Sequence, residues 1–292
     1  MSRYSIENEV IKIEVDLHGA ELVSIVNKET GAQSMWSGDG AYWNRVSPVL
    51  FPFVGKLKDL SYTYQGKVYG NVPQHGYARD CDFIFVEKTE DTLWFELKDD
   101  AVWNERYPFH FLLRLGYRIE EKKVHVLWQV INKDEKEMPF SIGAHPAFIM
   151  PDGASKNGFY LDFHNGASQL ICGELSDAGV LIPEKRCFVL EDGKLPLTDE
   201  LFDKDALIID SDSISTVSIL TPEGKAFLHV HFNTPQLGIW SPAGKKAPFV
   251  CIEPWYGRCD RVDYSGDLSG REYGNLLAPG ESFEREYVIE LV

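Results

Sequence analysis

The chain is written almost entirely in short alternating segments. "VIKIEVDL", "TLWFELKD", "FHFLLRLGYRIE", "KVHVLWQVIN", "STVSILTP", "AFLHVHFN" and "FEREYVIELV" place apolar residues at every second position or in brief runs, the period of strands with one buried face. Turn formers separate them, as in "NKETGAQ", "EGKA", "PAGKKAP" and "LAPGES". No heptad and no extended 3.6-residue stripe occurs, and "ELSDAGVLIPEK" and "LTDELFDKDA" have room for only a helical turn or two. The stretch "PDGASKNGFYLDFHNGASQLICGEL", rich in Gly, Asn and Ser, reads as loops and short strands on the surface. Many strands and few helices predict an all-β protein, a large antiparallel β-sandwich rather than a βαβ enzyme. No low-complexity tract, internal repeat or Gly/Ser linker marks a boundary, so residues 1–292 are expected to form a single domain.

Composition narrows the partners. Hydrophobic residues at 44% and charged residues at 25% suit a globular chain that buries a core. The formal charge of -16 repels phosphate backbones and anionic lipid, which argues against a nucleic-acid or membrane-surface partner. The first residues, "MSRYSIENEV", lack the basic and apolar regions of a secretory signal. Five scattered cysteines without a CxxC pair suggest reduced thiols and a cytoplasmic location rather than a disulfide framework or zinc cage. There is no GxGxxG, Walker loop, GxSxG elbow or HExxH, so hydride transfer, nucleotide-dependent phosphoryl transfer, serine hydrolysis and zincin chemistry lose support.

Two strand ends stand out against this background. In "FSIGAHPAF", the residue before proline is held extended, so Ser141, Gly143 and His145 share one face while Ile142 and Ala144 point the other way. Small neighbours leave space above His145, as a ligand pocket would need; a structural histidine at a turn is the competing account. In "FVCIEPWYG", Phe249, Cys251 and Glu253 share a face opposite Val250 and Ile252. A carboxylate at the end of an apolar strand is desolvated and its pKa raised unless it is paired, which suits a general base. Arg258 and Arg261 are the candidates for such a pairing.

Weaker signals lie elsewhere. "VPQHGYARD" brings His75 and Arg79 together in a turn, able to grip sugar hydroxyls or an anion. Lys56 follows Gly55 at the end of "SPVLFPFVGK", where a solvated loop lysine is the plain alternative. Asp205 precedes an apolar strand, a usual turn position. Trp240, in "LGIWSP", offers either an indole platform for a sugar ring or core packing. His229 and His231 in "LHVHF" have metal-ligand spacing, but "NTPQLGIW" supplies no third ligand. That pair reads as structural or substrate-facing.

In order along nearly the whole chain, "HGAELVSIVNKETGAQSMW", "YWNRVSPVLFPFVGKLKD", "PQHGYARD", "IGAHPAF", "FDKDALI", "LGIWSP" and "VCIEPWYG" resemble segments of the aldose 1-epimerase (galactose mutarotase-like) family, nearest its LacX-type branch. The resemblance implies a large antiparallel supersandwich with a cleft along one sheet. It implies His145 as general acid, Glu253 as general base, His75 near the ring oxygen and Asp205 on the sugar. The family arginine after "LFPF" falls at Lys56, a departure that keeps the charge and loses the planar fork. The implied activity is interconversion of α- and β-anomers of a hexose or hexose phosphate, with no cofactor and no metal. A non-catalytic sugar-binding protein on the same fold is the alternative. Glycoside hydrolysis would need a second carboxylate facing Glu253, and the sequence does not place Asp205 there. Oligomeric state and the sugar itself are not legible in the sequence.

Overall fold

A computed structural model describes residues 2–292. Alternation is realised as two large antiparallel sheets. The nine-stranded sheet runs, in spatial order, Lys194–Pro196, Tyr160–Asp162, Thr216–Leu220, Ala226–Phe232, Ser282–Leu291, Lys123–Asn132, Phe111–Glu120, Thr92–Lys98 and Ile84–Lys88. The eight-stranded sheet runs Leu181–Val189, Gln169–Leu175, Leu207–Asp210, Gln236–Trp240, Phe249–Tyr256, Ile142–Ala144 and Val49–Leu50, with Ala147–Ile149 also paired to Phe249–Tyr256. A three-stranded sheet, Arg3–Glu7, Ile11–Asp16 and Glu21–Asn27, contributes Ile6, Ile13, Val15 and Ile25 to the same core.

That core joins the facing sides of both large sheets: Leu93, Phe95, Leu113 and Val130 from one, Ile142, Ala144, Leu207, Ile209, Val250 and Ile252 from the other. Each such side chain contributes roughly 1.5–3 kcal/mol when fully buried. Strand registers are therefore strongly fixed, because a one-residue slip would turn every apolar residue outward. The same constraint sends Gly143, Ile208, Gly238, Glu253 and Trp255 to the opposite face of the eight-stranded sheet. The large antiparallel β-sandwich expected from alternation is the observed architecture.

Three local expectations fail. "ELSDAGVLIPEK" forms no helical turn; it is the hairpin joining Gln169–Leu175 to Leu181–Val189. Its turn closes with Gly179 N–H donating to Ser176 O at 2.8 Å, and Gly179 has φ +77°, outside the helical region. The Gly/Asn-rich stretch after residue 151 is not confined to the surface, since Phe159, Leu161 and Phe163 enter the main core and Lys156 is buried. A helix not anticipated, Ala101–Arg106, is capped by Asp100, whose carboxylate accepts from Trp103 N–H at 2.9 Å. At six residues it is too short to leave a 3.6-residue stripe. "LTDELFDKDA" holds a short 3-10 turn, Glu200–Phe202.

Candidate active site

The glutamate strand, Phe249–Tyr256, pairs with Gln236–Trp240 and with Ile142–Ala144. Glu253 lies opposite Gly238, and Trp255 lies opposite both Gln236 and Gly143. The two glycines are needed for space: a Cβ on Gly143 would sit 2.6 Å from the Trp255 indole, and one on Gly238 2.4 Å from it. The indole thus lies flat across both neighbouring strands and floors a cavity. His145 follows Ile142–Ala144 directly, held where Pro146 ends the strand, with its N–H donating to Pro48 O at 3.2 Å. Its Nε2 comes within 3.3 Å of Glu253 Oε2. The two strand ends converge.

His75 arrives from elsewhere in the chain. Its segment zips against the "LFPF" loop: Tyr77 N–H donates to Phe51 O at 2.9 Å, and His75 N–H to Gly55 O at 2.9 Å. Gly76, at φ +74°, makes the approach possible, since a Cβ there would fall 2.3 Å from Phe51 O. His75 itself takes φ +69°, uncommon for a residue with a side chain. Gly55 N–H donates to His75 Nδ1 at 3.1 Å. That bond assigns the remaining ring proton to Nε2, which lies 3.2 Å from the Gln74 side-chain amide. The His75 and His145 rings meet edge to face at 5.5 Å. Trp43, at 4.7 Å, and Trp240, at 5.4 Å, flank His145.

Burial sets the electrostatics. Glu253 is 1% exposed, and neither carboxyl oxygen has a hydrogen-bond partner. Desolvation, and next the charge of Asp205, push its pKa well above the ordinary carboxyl value; the Trp255 indole works weakly the other way. Arg258 pairs instead with Glu272 and Asp210, and Arg261 with Asp263, so neither expected partner neutralises Glu253. Desolvation, then the charge of Arg79, pushes His145 down to about 3. Burial, then the charge on His145, holds His75 well below the ordinary imidazole value. Burial thus favours a pair made of a neutral imidazole and a protonated carboxyl. That pair carries one mobile proton, the same inventory as an imidazolium beside a carboxylate.

These groups line a cavity of about 320 Å³. Seven residues singled out in the sequence border it: Lys56, His75, Arg79, His145, Asp205, Trp240 and Glu253. Asp205 keeps its turn role, accepting from Ala206 N–H at 2.8 Å at φ +65°, while adding its charge to the wall. Arg79 donates to Gln74 O at 2.6 Å, and its buried Nε, 3.8 Å from Asp80 Oδ2, makes no hydrogen bond. Trp43, Arg45, Gln74 and Trp255 also line the cavity and were not foreseen. "YWNRVSP" carries the first two, but nothing in its pattern turns them toward His145. His229 and His231 do not border the cavity: they lie on the nine-stranded sheet, bonded to Ser218 at 2.5 Å and Thr216 at 3.0 Å.

Among the described residues, His145, Cys251 and Glu253 alone form a group close enough to share a metal ion, with ligand atoms within 4.8 Å of one another. Burial raises the Cys251 thiol pKa, as it does that of Glu253, so an ion would have to displace two protons from its ligands.

A buried imidazole–carboxyl pair thus lies in a polar and aromatic cavity on the face of an antiparallel sandwich, and residues 2–290 match the profile of the aldose 1-epimerase family. The chain belongs to that family. It is 30% identical to the chromosomal protein LacX of Lactococcus lactis subsp. lactis over 98% of both chains. A galactose mutarotase related enzyme from Lactobacillus acidophilus is 36% identical, with a TM-score of 0.91 over 100% of this chain and 97% of that one. A galactose mutarotase-like protein from Lactobacillus casei is 30% identical, with a TM-score of 0.91 over the whole of both chains. Among the described residues no helix is long and apolar enough to cross a membrane.

Proposed function

We propose that this protein interconverts the α- and β-anomers of an aldohexose, free or phosphorylated, by acid–base ring opening at His145 and Glu253. The observation that carries the reading is the buried Glu253 carboxyl, without a hydrogen bond, 3.3 Å from the His145 imidazole. Sugar hydroxyls entering the cavity supply the missing partners and favour the ionised carboxylate. The mobile proton then rests on His145. Glu253 removes the proton of the C1 hydroxyl as His145 protonates the ring oxygen, and the C1–O5 bond breaks to give the open-chain aldehyde. Rotation about C1–C2 presents the other carbonyl face, and reclosure runs the two transfers backwards.

His75 turns its Nε2 from the Gln74 amide, 3.2 Å away, to donate a hydrogen bond near the ring oxygen. Trp43 and Trp240 flank the sugar, and Asp205 accepts from its hydroxyls. No step in this sequence requires a redox change or a carbon nucleophile. Five free cysteines support a reducing, cytoplasmic setting.

The test is exchange between anomers followed by NMR with glucose, galactose and their 6-phosphates, after subtraction of the spontaneous rate. Acceleration lost in Glu253→Gln and in His145→Asn supports the reading. Sugar binding without acceleration would replace the enzyme with a sugar-binding protein.

A further inference from the structure

The proposed reaction makes no use of Cys251, whose thiol lies beside the acid–base pair. Its strand, Phe249–Tyr256, sends Cys251 and Glu253 to the same side, and strand pairing brings His145 level with them. Gly143 pairs with Trp255 and Ala147 with Cys251, the same register on both sides of Pro146, so His145 falls opposite Glu253. Cys251 is wholly buried among Trp36, Ala147 and Phe249 and does not border the cavity. It closes the pair off from behind. An imidazole nitrogen, a thiol sulfur and a carboxyl oxygen thus converge within 4.8 Å of one another, all three buried. Both Glu253 oxygens are without a hydrogen bond, as is His145 Nδ1.

One nitrogen, one sulfur and one oxygen donor suit a borderline-soft divalent cation of the zinc kind, whereas magnesium and calcium take oxygen donors. With metal–ligand bonds of about 2.0–2.3 Å, tetrahedral donors stand about 3.3–3.6 Å apart, so roughly an ångström of side-chain movement closes the set. A thiolate and a carboxylate cancel the two charges of the ion and leave the buried site neutral, the displaced protons leaving through the cavity. Three protein ligands keep a fourth position open, on the side where His145 and Glu253 border the cavity. We propose that His145, Cys251 and Glu253 bind Zn²⁺ and that the bound ion shuts off anomer exchange, because it occupies the lone pairs that move the protons. Cys251 is a ligand in this site and neither acid nor base in the reaction, so it separates the two roles. His145 Nδ1 has no partner to hold the ring as a metal ligand, which favours a site that loads and empties over a permanent structural centre. The inhibition rests on the anomer-exchange reading of the same pair; the ion binding does not.

The first arm of the test reads the ion without any sugar. Co²⁺ added to the wild type should give a thiolate-to-cobalt charge-transfer absorption that EDTA removes and Zn²⁺ displaces. Cys251→Ser, which keeps the other four cysteines, should lose the band. Glu253→Gln should need at least about tenfold more Co²⁺ to reach it, and this comparison decides the matter where Cys251→Ser fails to fold. In the second arm, Zn²⁺ should stop anomer exchange by the wild type and EDTA should restore it. Cys251→Ser should exchange anomers within about twofold of the wild-type rate, yet need at least about tenfold more Zn²⁺ for the same inhibition. A cobalt band of equal strength in Cys251→Ser, or equal zinc inhibition in both proteins, assigns the ion to other thiols or histidines and overturns the inference. Exchange that EDTA abolishes and Zn²⁺ restores would make the ion a cofactor and overturn the inhibition. No exchange with or without added ion overturns the catalytic reading and the inhibition with it, while the cobalt arm still decides the site.

Discussion

Two buried acidic side chains lie seven residues apart and live in opposite ways. Asp260 accepts from Arg271 Nε at 2.7 Å and from Lys58 N–H at 2.9 Å, and Arg271 spends another donor on Arg258 O at 2.8 Å. Glu253, more deeply buried, accepts nothing. Two lysines repeat the contrast. Lys156, 1% exposed, pairs with Asp199 and donates to Ala247 O at 3.2 Å, whereas Lys56 faces the cavity without a partner. A buried charge that serves the fold is neutralised by the fold, since an isolated one costs several kcal/mol. Glu253 and Lys56 border the same cavity, although unpaired buried polar atoms also lie outside it, as at Arg186 Nε and Thr221 Oγ1. The partners that Glu253 and Lys56 lack are what a substrate would supply.

The strongest way to break this contrast is to neutralise each acid in turn. Glu253→Gln should reduce anomer exchange by roughly a hundred- to ten-thousand-fold while folding at least as stably as the wild type. Asp260→Asn should do the reverse. It leaves the Arg271 charge buried and unpaired, at a cost of about 3–5 kcal/mol, while kcat of the folded fraction stays within a few-fold. Urea unfolding and NMR exchange rates on the same samples decide both. Loss of exchange in a well-folded Asp260→Asn would erase the distinction.

How much of this was legible beforehand depends on whether a feature is local. Period-two alternation along Val250, Ile252 and Glu253 is a property of one strand, so the face that carries Glu253 could be read directly. The same holds for Ile142, Ala144 and His145. That the two ends meet at 3.3 Å depends on strand pairing between residues more than a hundred positions apart, which no local pattern encodes. The resemblance to a family, not the alternation, linked them. Trp43 and Arg45 were missed because a loop residue has no periodic face. The hairpin at Ser176–Val180 was mistaken for a helical turn because its spacing of Leu175, Val180 and Leu181 is ambiguous until Gly179 adopts positive φ.

A subtler difference concerns pH. His145 is held down to about 3 in the folded chain and titrates near 6.5 when unfolded. The unfolded chain therefore binds the extra proton first, and His145 costs stability progressively as pH falls from about 6.5 toward 3. Glu253 is shifted upward, so the unfolded chain loses its proton first, and the residue costs stability as pH rises above its unfolded value near 4.3. Melting temperature against pH should accordingly fall less steeply on the acid side in His145→Asn, and less steeply on the alkaline side in Glu253→Gln. Slopes that flatten instead on the opposite sides, alkaline for His145→Asn and acid for Glu253→Gln, would mean that the pair is charged at rest, as an imidazolium–carboxylate ion pair.

The smallest expected effect sharpens the contrast from outside. His229 and His231 resemble site histidines in sequence, yet both are already partnered: His229 with Ser218, and His231 with Thr216 and with Glu290 at 2.9 Å. The His231–Glu290 pair is partly exposed and worth at most about 1 kcal/mol. Ser218 keeps a second contact, His164 Nε2 at 2.6 Å, when His229 is removed. His229→Ala and His231→Ala should therefore change anomer exchange by less than about twofold and stability by no more than about 1 kcal/mol each. A tenfold loss of exchange in either variant at full stability would place part of the site on the nine-stranded sheet.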